Sequence, residues 1–186
     1  MKIGVISDTH IPSMGKEPPP QIIKAFEGVD LILHAGDVYI EDCIKWLERI
    51  APVEATTSWA SSTREAAPRV NHPIVVEAGG HSIGLVHQLF LDRLPDDILP
   101  GAIEKRLPPG ESIPNDLEQI FGKPVDIVVF GYTHVPMVET HQGILMINPG
   151  SPTMVGQVMK TGSVAILEFK PEGPEAHIVP LADIRE

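Results

Sequence analysis

Apolar positions along the chain come in short runs, each stopped by a polar residue, a glycine or a proline. This is the pattern of strands and short helices rather than of long ones. Lys2–Ser7 is a β-type run that stops at Asp8, and Glu17-Pro18-Pro19-Pro20 separates it from a short helical segment at Gln21–Phe26. Leu31-Ile32-Leu33-His34 reads as a second buried strand, ending at Ala35-Gly36-Asp37. Ile40, Cys43, Ile44 and Leu47 then recur at helical spacing, with Glu41 and Asp42 in the first turn, where the helix dipole favours acids. That helix stops before Pro52, and Val53–Thr57 reads as a third strand. Strand, helix, strand, helix, strand implies a parallel sheet with helices on its faces.

The second half reads differently. Ile74–Glu77, Gly79-Gly80 and Ser82–His87 have the pattern of a hairpin with a glycine turn. Val125–Phe130 is apolar without alternation, as expected of a strand covered on both faces. Val135–His141 with Ile144–Ile147, and Ser163–Phe169 with Ala176–Pro180, read as two more hairpins. Between the first hairpin and Val125–Phe130 lies a Pro-rich insertion, about residues 89–124, carrying Pro95, Pro100, Pro108, Pro109 and Pro114. It is expected to hold a broken helix or two, with Asn115 as N-cap for Asp116–Phe121. A stretch of this kind is either a lid or binding element, or a surface insertion without function.

Composition narrows the class. The 186 residues fit one domain, 1–186, able to bury a core without disulfides or a structural metal. Hydrophobic residues at 42% and charged residues at 21% are globular values, and 19 prolines against 16 glycines signal many fixed turns rather than disorder. A formal charge of −11 excludes long nucleic acid as a partner, since that needs a field of Lys and Arg. The one cysteine, Cys43, cannot form an internal disulfide and lies on the apolar helix face. No run is long enough to span a membrane, and the N-terminal apolar run meets Asp8 too early for a signal sequence, so a cytoplasmic protein is expected.

Candidate chemistry sits where apolar runs end: Asp8 and His10, Asp37, His87 and His134. Ligands from separate strand ends can converge on one rim of a sheet. Two carboxylates with three imidazoles suit Mn, Fe, Zn or Ni rather than Mg or Ca, which prefer oxygen alone. With no Cys-x-x-Cys pair, a thiolate zinc site is excluded.

The order of these motifs resembles the calcineurin-like metallophosphoesterases, in particular the small bacterial and archaeal phosphodiesterases. The resemblance rests on Ile6-Ser7-Asp8-Thr9-His10, His34-Ala35-Gly36-Asp37, Ile83-Gly84-Leu85-Val86-His87, Phe130-Gly131-Tyr132-Thr133-His134 and Ile147-Asn148-Pro149-Gly150-Ser151. It implies an α/β, four-layer αββα sandwich of two mixed sheets flanked by helices, and a two-metal site that activates water against a small phosphodiester or phosphomonoester. It further implies that Asp8, His10, Asp37, His134 and His87 are metal ligands and that Asp37 and His87 serve catalysis. His34 would stand behind the ligands.

Two motifs depart from the family pattern. Where the family carries Gly-Asn-x-Asp, an ungapped count places Ser58-Trp59-Ala60-Ser61, so Trp59 replaces a ligand and Ser61 an acid. Where it carries Gly-His-x-His, this chain has Gly131-Tyr132-Thr133-His134, so Tyr132 replaces an imidazole. Asp8, His10, Asp37 and His134 would then hold one ion strongly, with Asp37 bridging, while Asp37 and His87 would hold a second weakly or not at all. The expectation is a metal-dependent phosphoesterase of reduced activity. The alternative is a degenerate phosphoesterase fold acting as a protein-interaction scaffold, and oligomeric state is left open.

Overall fold

The computed structural model describes residues 1–56, 72–94 and 97–184. In chain order the elements begin β1 (Lys2–Ile6), α1 (Gln21–Ala25), β2 (Leu31–His34), α2 (Glu41–Glu48) and β3 (Val53–Ala55). They continue with β4 (Ile74–Ala78), β5 (His81–Leu85), α3 (Ala102–Arg106), α4 (Ile113–Phe121) and β6 (Ile127–Val129). The last strands are β7 (Met137–His141), β8 (Ile144–Asn148), β9 (Met154–Val155), β10 (Val158–Met159), β11 (Ser163–Lys170) and β12 (Gly173–Pro180).

Two five-stranded mixed sheets result, ordered β12-β11-β1-β2-β3 and β4-β5-β6-β8-β7. The strands β1, β2 and β3 are parallel, as are β5, β6 and β8, and antiparallel strands close the remaining edges. Side chains divide with the strict period of two that a pleated strand imposes. Ile3, Val5, Leu33, Ile83, Leu85, Ile127, Val129 and Ile147 fill the layer between the sheets. Ile6, Ile32, Val164 and Ile166 turn the other way, onto α1 and α2, and Val128, Ile144 and Met146 onto α3 and α4. Three apolar layers thus hold a four-layer αββα sandwich, the architecture implied by the resemblance.

Each helical layer docks an aromatic ring on a strand glycine. The Phe26 ring lies where a Cβ on Gly4 would sit 3.0 Å from it, and the Phe121 ring lies where a Cβ on Gly84 would come within 2.6 Å. No larger residue leaves room for these rings, so glycine inside β1 and β5 sets how closely the helices approach.

The stretch 89–124 contributes to the core. Leu89, Leu91, Leu94, Ile98, Ile103, Ile113 and Leu117 are all buried in the layer against the second sheet. Its second helix begins three residues earlier than the sequence predicts. Ser112, not Asn115, is the N-cap, because its hydroxyl accepts the Asn115 backbone N–H, and Pro114 fits the first turn, where no N–H is needed. The β9–β10 ribbon was not predicted, since two-residue strands leave no periodicity to read. No helix among the described residues is long and apolar enough to cross a membrane.

If the 89–124 layer is part of one cooperative core, Leu117→Ala should lower the free energy of unfolding by about 2–5 kcal/mol. Pro109→Ala, on the exposed link between the helices, should change it by no more than about 0.5 kcal/mol. Urea titration reads both, and a cost near zero for Leu117→Ala would show that this layer opens separately.

Candidate metal centre

The C-terminal ends of the parallel strands of the two sheets meet, and the loops just beyond them are tied within each sheet and, at Tyr132 and Asp8, across the gap. The Asp8 N–H donates to the Gly36 carbonyl at 2.9 Å, and the His10 N–H donates to that of Asp37 at 3.0 Å. The Gly131 N–H donates to the His87 carbonyl at 2.9 Å, and the Tyr132 N–H donates to Asp8 Oδ2 at 3.0 Å. A Cβ on Gly131 would run into the Ser7 hydroxyl and the Asp8 carboxylate, so only glycine lets this turn close on β1.

Asn148-Pro149-Gly150-Ser151 supports the same loops from below. The Asn148 amide donates to the Gly131 carbonyl, the Ser151 hydroxyl donates to the Asp8 carbonyl at 2.8 Å, and the Thr153 hydroxyl donates to the Thr9 carbonyl. The backbone here is forced. Among the described residues, seven non-glycine positions have left-handed φ, and six lie at this site: Asp8, His10, Asp37, Tyr39, Tyr132 and His134. Each costs on the order of 1 kcal/mol or more, and such strain persists only where surrounding bonds over-determine it.

The predicted ligands converge. Asp8, His10, Asp37 and His134 are buried and His87 is nearly so. Asp8 Oδ1 is buried and accepts no hydrogen bond; it lies 3.3 Å from His134 Nε2 and 3.9 Å from His10 Nε2, while those two nitrogens are 3.0 Å apart. Three donor atoms each about 2.1 Å from one ion would be separated by roughly 3.0–3.4 Å, close to the edges of this triangle. A second group is Asp8, Asp37 and His87, with His87 Nε2 3.6 Å from Asp37 Oδ1 and 3.9 Å from Asp8 Oδ1. Asp8 is common to both groups of neighbouring donors, and the second group has three residues. Asp37 lies between the two, its other oxygen 3.6 Å from His10 Nδ1.

Each imidazole has its Nδ1 committed. His87 Nδ1 donates to the Ala35 carbonyl at 2.8 Å and His134 Nδ1 donates to the Gly156 carbonyl at 2.7 Å, which turns both Nε2 lone pairs inward. His10 Nδ1 lies 2.8 Å from the Tyr39 hydroxyl. His34, fully buried, uses both nitrogens: Nδ1 accepts the Gly36 N–H and Nε2–H donates to the Thr9 hydroxyl, which in turn donates to the Asp37 carbonyl. It stands behind Asp37 and offers no atom to an ion.

Tyr132 is half-exposed, with its ring edge-on to His87 at 5.7 Å and its backbone rather than its phenol serving Asp8. Trp59 and Ser61 lie outside the described residues. His81, His141 and His177 stand apart, the first two beside Asp126 and Glu139 and the third exposed on β12. Tyr39 and the β9–β10 ribbon, whose turn meets His134, were missed by sequence reading, and no local pattern announces either.

Electrostatics follow the geometry. Burial would raise the Asp8 carboxyl, but the His134 and His87 imidazoles and the Ser7 hydroxyl outweigh it and hold the group below its ordinary range. Burial lowers His10 despite Asp37 and Asp8, whereas His134 is raised, chiefly by Asp8. A proton and a cation therefore compete for the same place beside Asp8. Burial pushes His34 down to about 3 and the Cys43 thiol up to about 11, which makes Cys43 an inert core residue.

Two outcomes are expected. With His34 titrating near 3 in the folded chain and about 6.5 in the unfolded one, the unfolded chain binds more protons between those values. Its neutral, buried state is therefore fully accommodated above pH 6.5, and stability is lost as pH falls towards 3. In metal-free protein, His34→Gln should flatten that decline by up to about 1.4 kcal/mol per pH unit, read by urea unfolding between pH 6.5 and 4. Gly131→Ala should cost about 1–3 kcal/mol and weaken metal uptake; wild-type behaviour would mean that the turn can back away from Asp8.

Comparison with known proteins finds relatives over nearly the whole chain. Residues 1–172 match the calcineurin-like phosphoesterase superfamily domain. The chain is 31% identical over 184 residues to a probable metallophosphoesterase of Methanothermobacter thermautotrophicus, covering 96% of this chain and 92% of that protein. Wild-type Vps29 of Entamoeba histolytica complexed with Zn²⁺ shares the fold with a TM-score of 0.63 at 18% identity, covering 97% and 99% of the two chains. A novel archaeal phosphodiesterase does so with a TM-score of 0.57 at 21% identity, covering 96% of this chain and all of that one.

Proposed function

The chain belongs to the calcineurin-like phosphoesterase superfamily, and on that premise we propose that it hydrolyses small phosphodiesters or phosphomonoesters with a divalent transition metal. The observation that carries the reading is Asp8 Oδ1, a fully buried carboxylate oxygen with no hydrogen bond, faced by inward-turned imidazole nitrogens. Leaving such an oxygen unmatched costs on the order of 1–3 kcal/mol; a cation held by Asp8, His10 and His134 satisfies it. Asp8, Asp37 and His87 would hold a second ion, and three donors support a firmer second position than Asp37 and His87 alone.

Ions held by these residues would supply a water of lowered pKa and polarise a phosphoryl oxygen. The chain's part is to fix the ligands: the left-handed backbone aims them, Ala35 and Gly156 set two tautomers, and the sandwich excludes water from Asp8. A mixed oxygen and nitrogen donor set supports Mn, Fe, Zn or Ni, and the zinc complex of the Entamoeba neighbour makes Zn²⁺ a good first probe. The reading takes residues 1–186 as one catalytic domain acting in the cytoplasm, supported by the extent of the family match and by a single buried thiol. Reduced activity remains part of it, on the replacement of an imidazole by Tyr132.

A second reading, a protein-interaction scaffold, is favoured by one observation. Val155, Val158 and Met159 on the ribbon beside His134 are each about half or more exposed.

The two readings separate in one assay, with a bis-aryl phosphodiester and an aryl phosphomonoester offered with Mn²⁺, Fe²⁺, Zn²⁺ or Ni²⁺. The enzyme reading expects hydrolysis above a metal-only blank. Asp8→Asn, whose amide oxygen can still accept the Tyr132 N–H, should lose bound metal at both positions and about 10²-fold or more of the rate. Asp37→Asn should lose metal at one position only. A wild-type protein inactive with every ion, or an Asp8→Asn variant of undiminished rate, would sink it.

A further inference from the structure

The chain has two tyrosines, Tyr39 and Tyr132, and both stand at the metal centre. Tyr39 is committed, since its hydroxyl lies 2.8 Å from His10 Nδ1. Tyr132 is different. Its backbone is anchored on every side: its N–H donates to Asp8 Oδ2 at 3.0 Å, and the Asn148 amide donates to the Gly131 carbonyl and the Thr133 hydroxyl. The ring has no such anchor. It is 38% exposed and meets the His87 ring edge-on at 5.7 Å and 83°, and its phenol takes no hydrogen bond among the described residues.

That combination has a cost and a use. A φ of 71° is unfavourable for a bulky residue, and a ring left in water forgoes the burial that aromatic side chains usually find. Glycine or asparagine would sit more easily at this position. A fixed backbone that holds an open ring is a preorganised contact surface, which a flat group can cover without first ordering a loop. Its place selects the ligand. Tyr132 stands against His87, whose Nε2 is 3.6 Å from Asp37 Oδ1 in the second group of donors. A phosphoester drawn to this centre must leave its organic group on the solvent side, because Ser7, Asp8 and Thr9 behind it are fully buried. The half-exposed ring of Tyr132 borders that side.

We propose that Tyr132 is a stacking platform that selects phosphoesters whose organic group is a flat aromatic ring, an aryl group or a nucleobase. An exposed π face holds such rings by offset or edge contacts and by excluding water, and it accepts one flat ring much as another. The inference rests on the phosphoesterase reading above and names a substrate class for it.

Calorimetry on the full chain loaded with Zn²⁺ tests it, using phosphonates because their C–P bond resists hydrolysis. Phenylphosphonate should bind about 5-fold or more tighter than methylphosphonate, and than cyclohexylphosphonate, which has the bulk but no π face. Tyr132→Asn keeps the backbone N–H and suits the left-handed φ. It should bring these affinities within about twofold of one another, with methylphosphonate still at its wild-type value. Tyr132→Phe should keep the phenyl preference, since the ring and not the phenol makes the contact. An acyclic adenine phosphonate tells the two sources apart: binding tighter than phenyl identifies a nucleobase, and weaker binding a simple aryl group. The inference is overturned if phenyl and cyclohexyl bind alike in wild type, if Tyr132→Asn keeps the preference, or if Tyr132→Phe loses it. It is overturned likewise if Tyr132→Asn weakens methylphosphonate equally, because the residue then holds the site together and does not select the substrate. A zinc-loaded wild type that binds no phosphonate would remove the phosphoesterase reading itself, an outcome distinct from these.

Discussion

Asp8 is a carboxylate with no access to water, and the arrangement around it is what the rest of the structure serves. An isolated ion in such a place costs several kcal/mol even after relaxation, unless opposite charge and hydrogen bonds surround it. One oxygen receives the Tyr132 N–H, and the other faces His134, His10 and His87. Satisfying one buried oxygen thus requires residues from β1, β5 and the loop after β6 to meet at one point. The two sheets must therefore pack with their parallel strand ends aligned.

That alignment is rigid because its parts are backbone. Six residues at the site hold left-handed φ values; Asp8, His10 and Asp37 are tied by main-chain bonds and by the Ser151 hydroxyl on the Asp8 carbonyl, and Tyr132 by its N–H on the Asp8 carboxylate. A loop free to relax would return these residues to ordinary conformations, so the stability of the sandwich is spent partly on ligand geometry. Gly131 has the same purpose from the other direction, since its missing side chain is the space that Ser7 and Asp8 occupy.

The outer layers make that stability available. Phe26 and Phe121 seat on Gly4 and Gly84, one on each sheet, and the buried apolar residues of 89–124 complete the second helical layer. Prolines there cut the helices short without removing the stretch from the core. A Pro-rich segment is therefore compatible with a packed layer when its apolar residues still reach the sheet. The ribbon at Met154–Met159 is a different case: its turn is fixed to His134 while its valines face outward. This apolar surface beside the site is what the scaffold reading has in its favour.

The sequence by itself determined the strands β1, β2, β6 and β8, because each is covered on both faces and reads as a dense apolar run. It also marked Asp8, His10, Asp37, His87 and His134, because polar residues that end such runs are few and their order resembles a known family. What only the tertiary structure decided is how closely those residues approach one another. Asp8 falls in both groups of neighbouring donors, a matter of the distance between two sheets and not of spacing along either strand. Tyr39 and Gly156 were illegible for the same reason: their partners, His10 and His134, are 29 and 22 residues away. The N-cap at Ser112 shows the limit at short range, where Ser112 and Asn115 both qualify by type and only the direction of one hydrogen bond selects between them. Periodicity reports what a residue faces, whereas a site is made of what faces it.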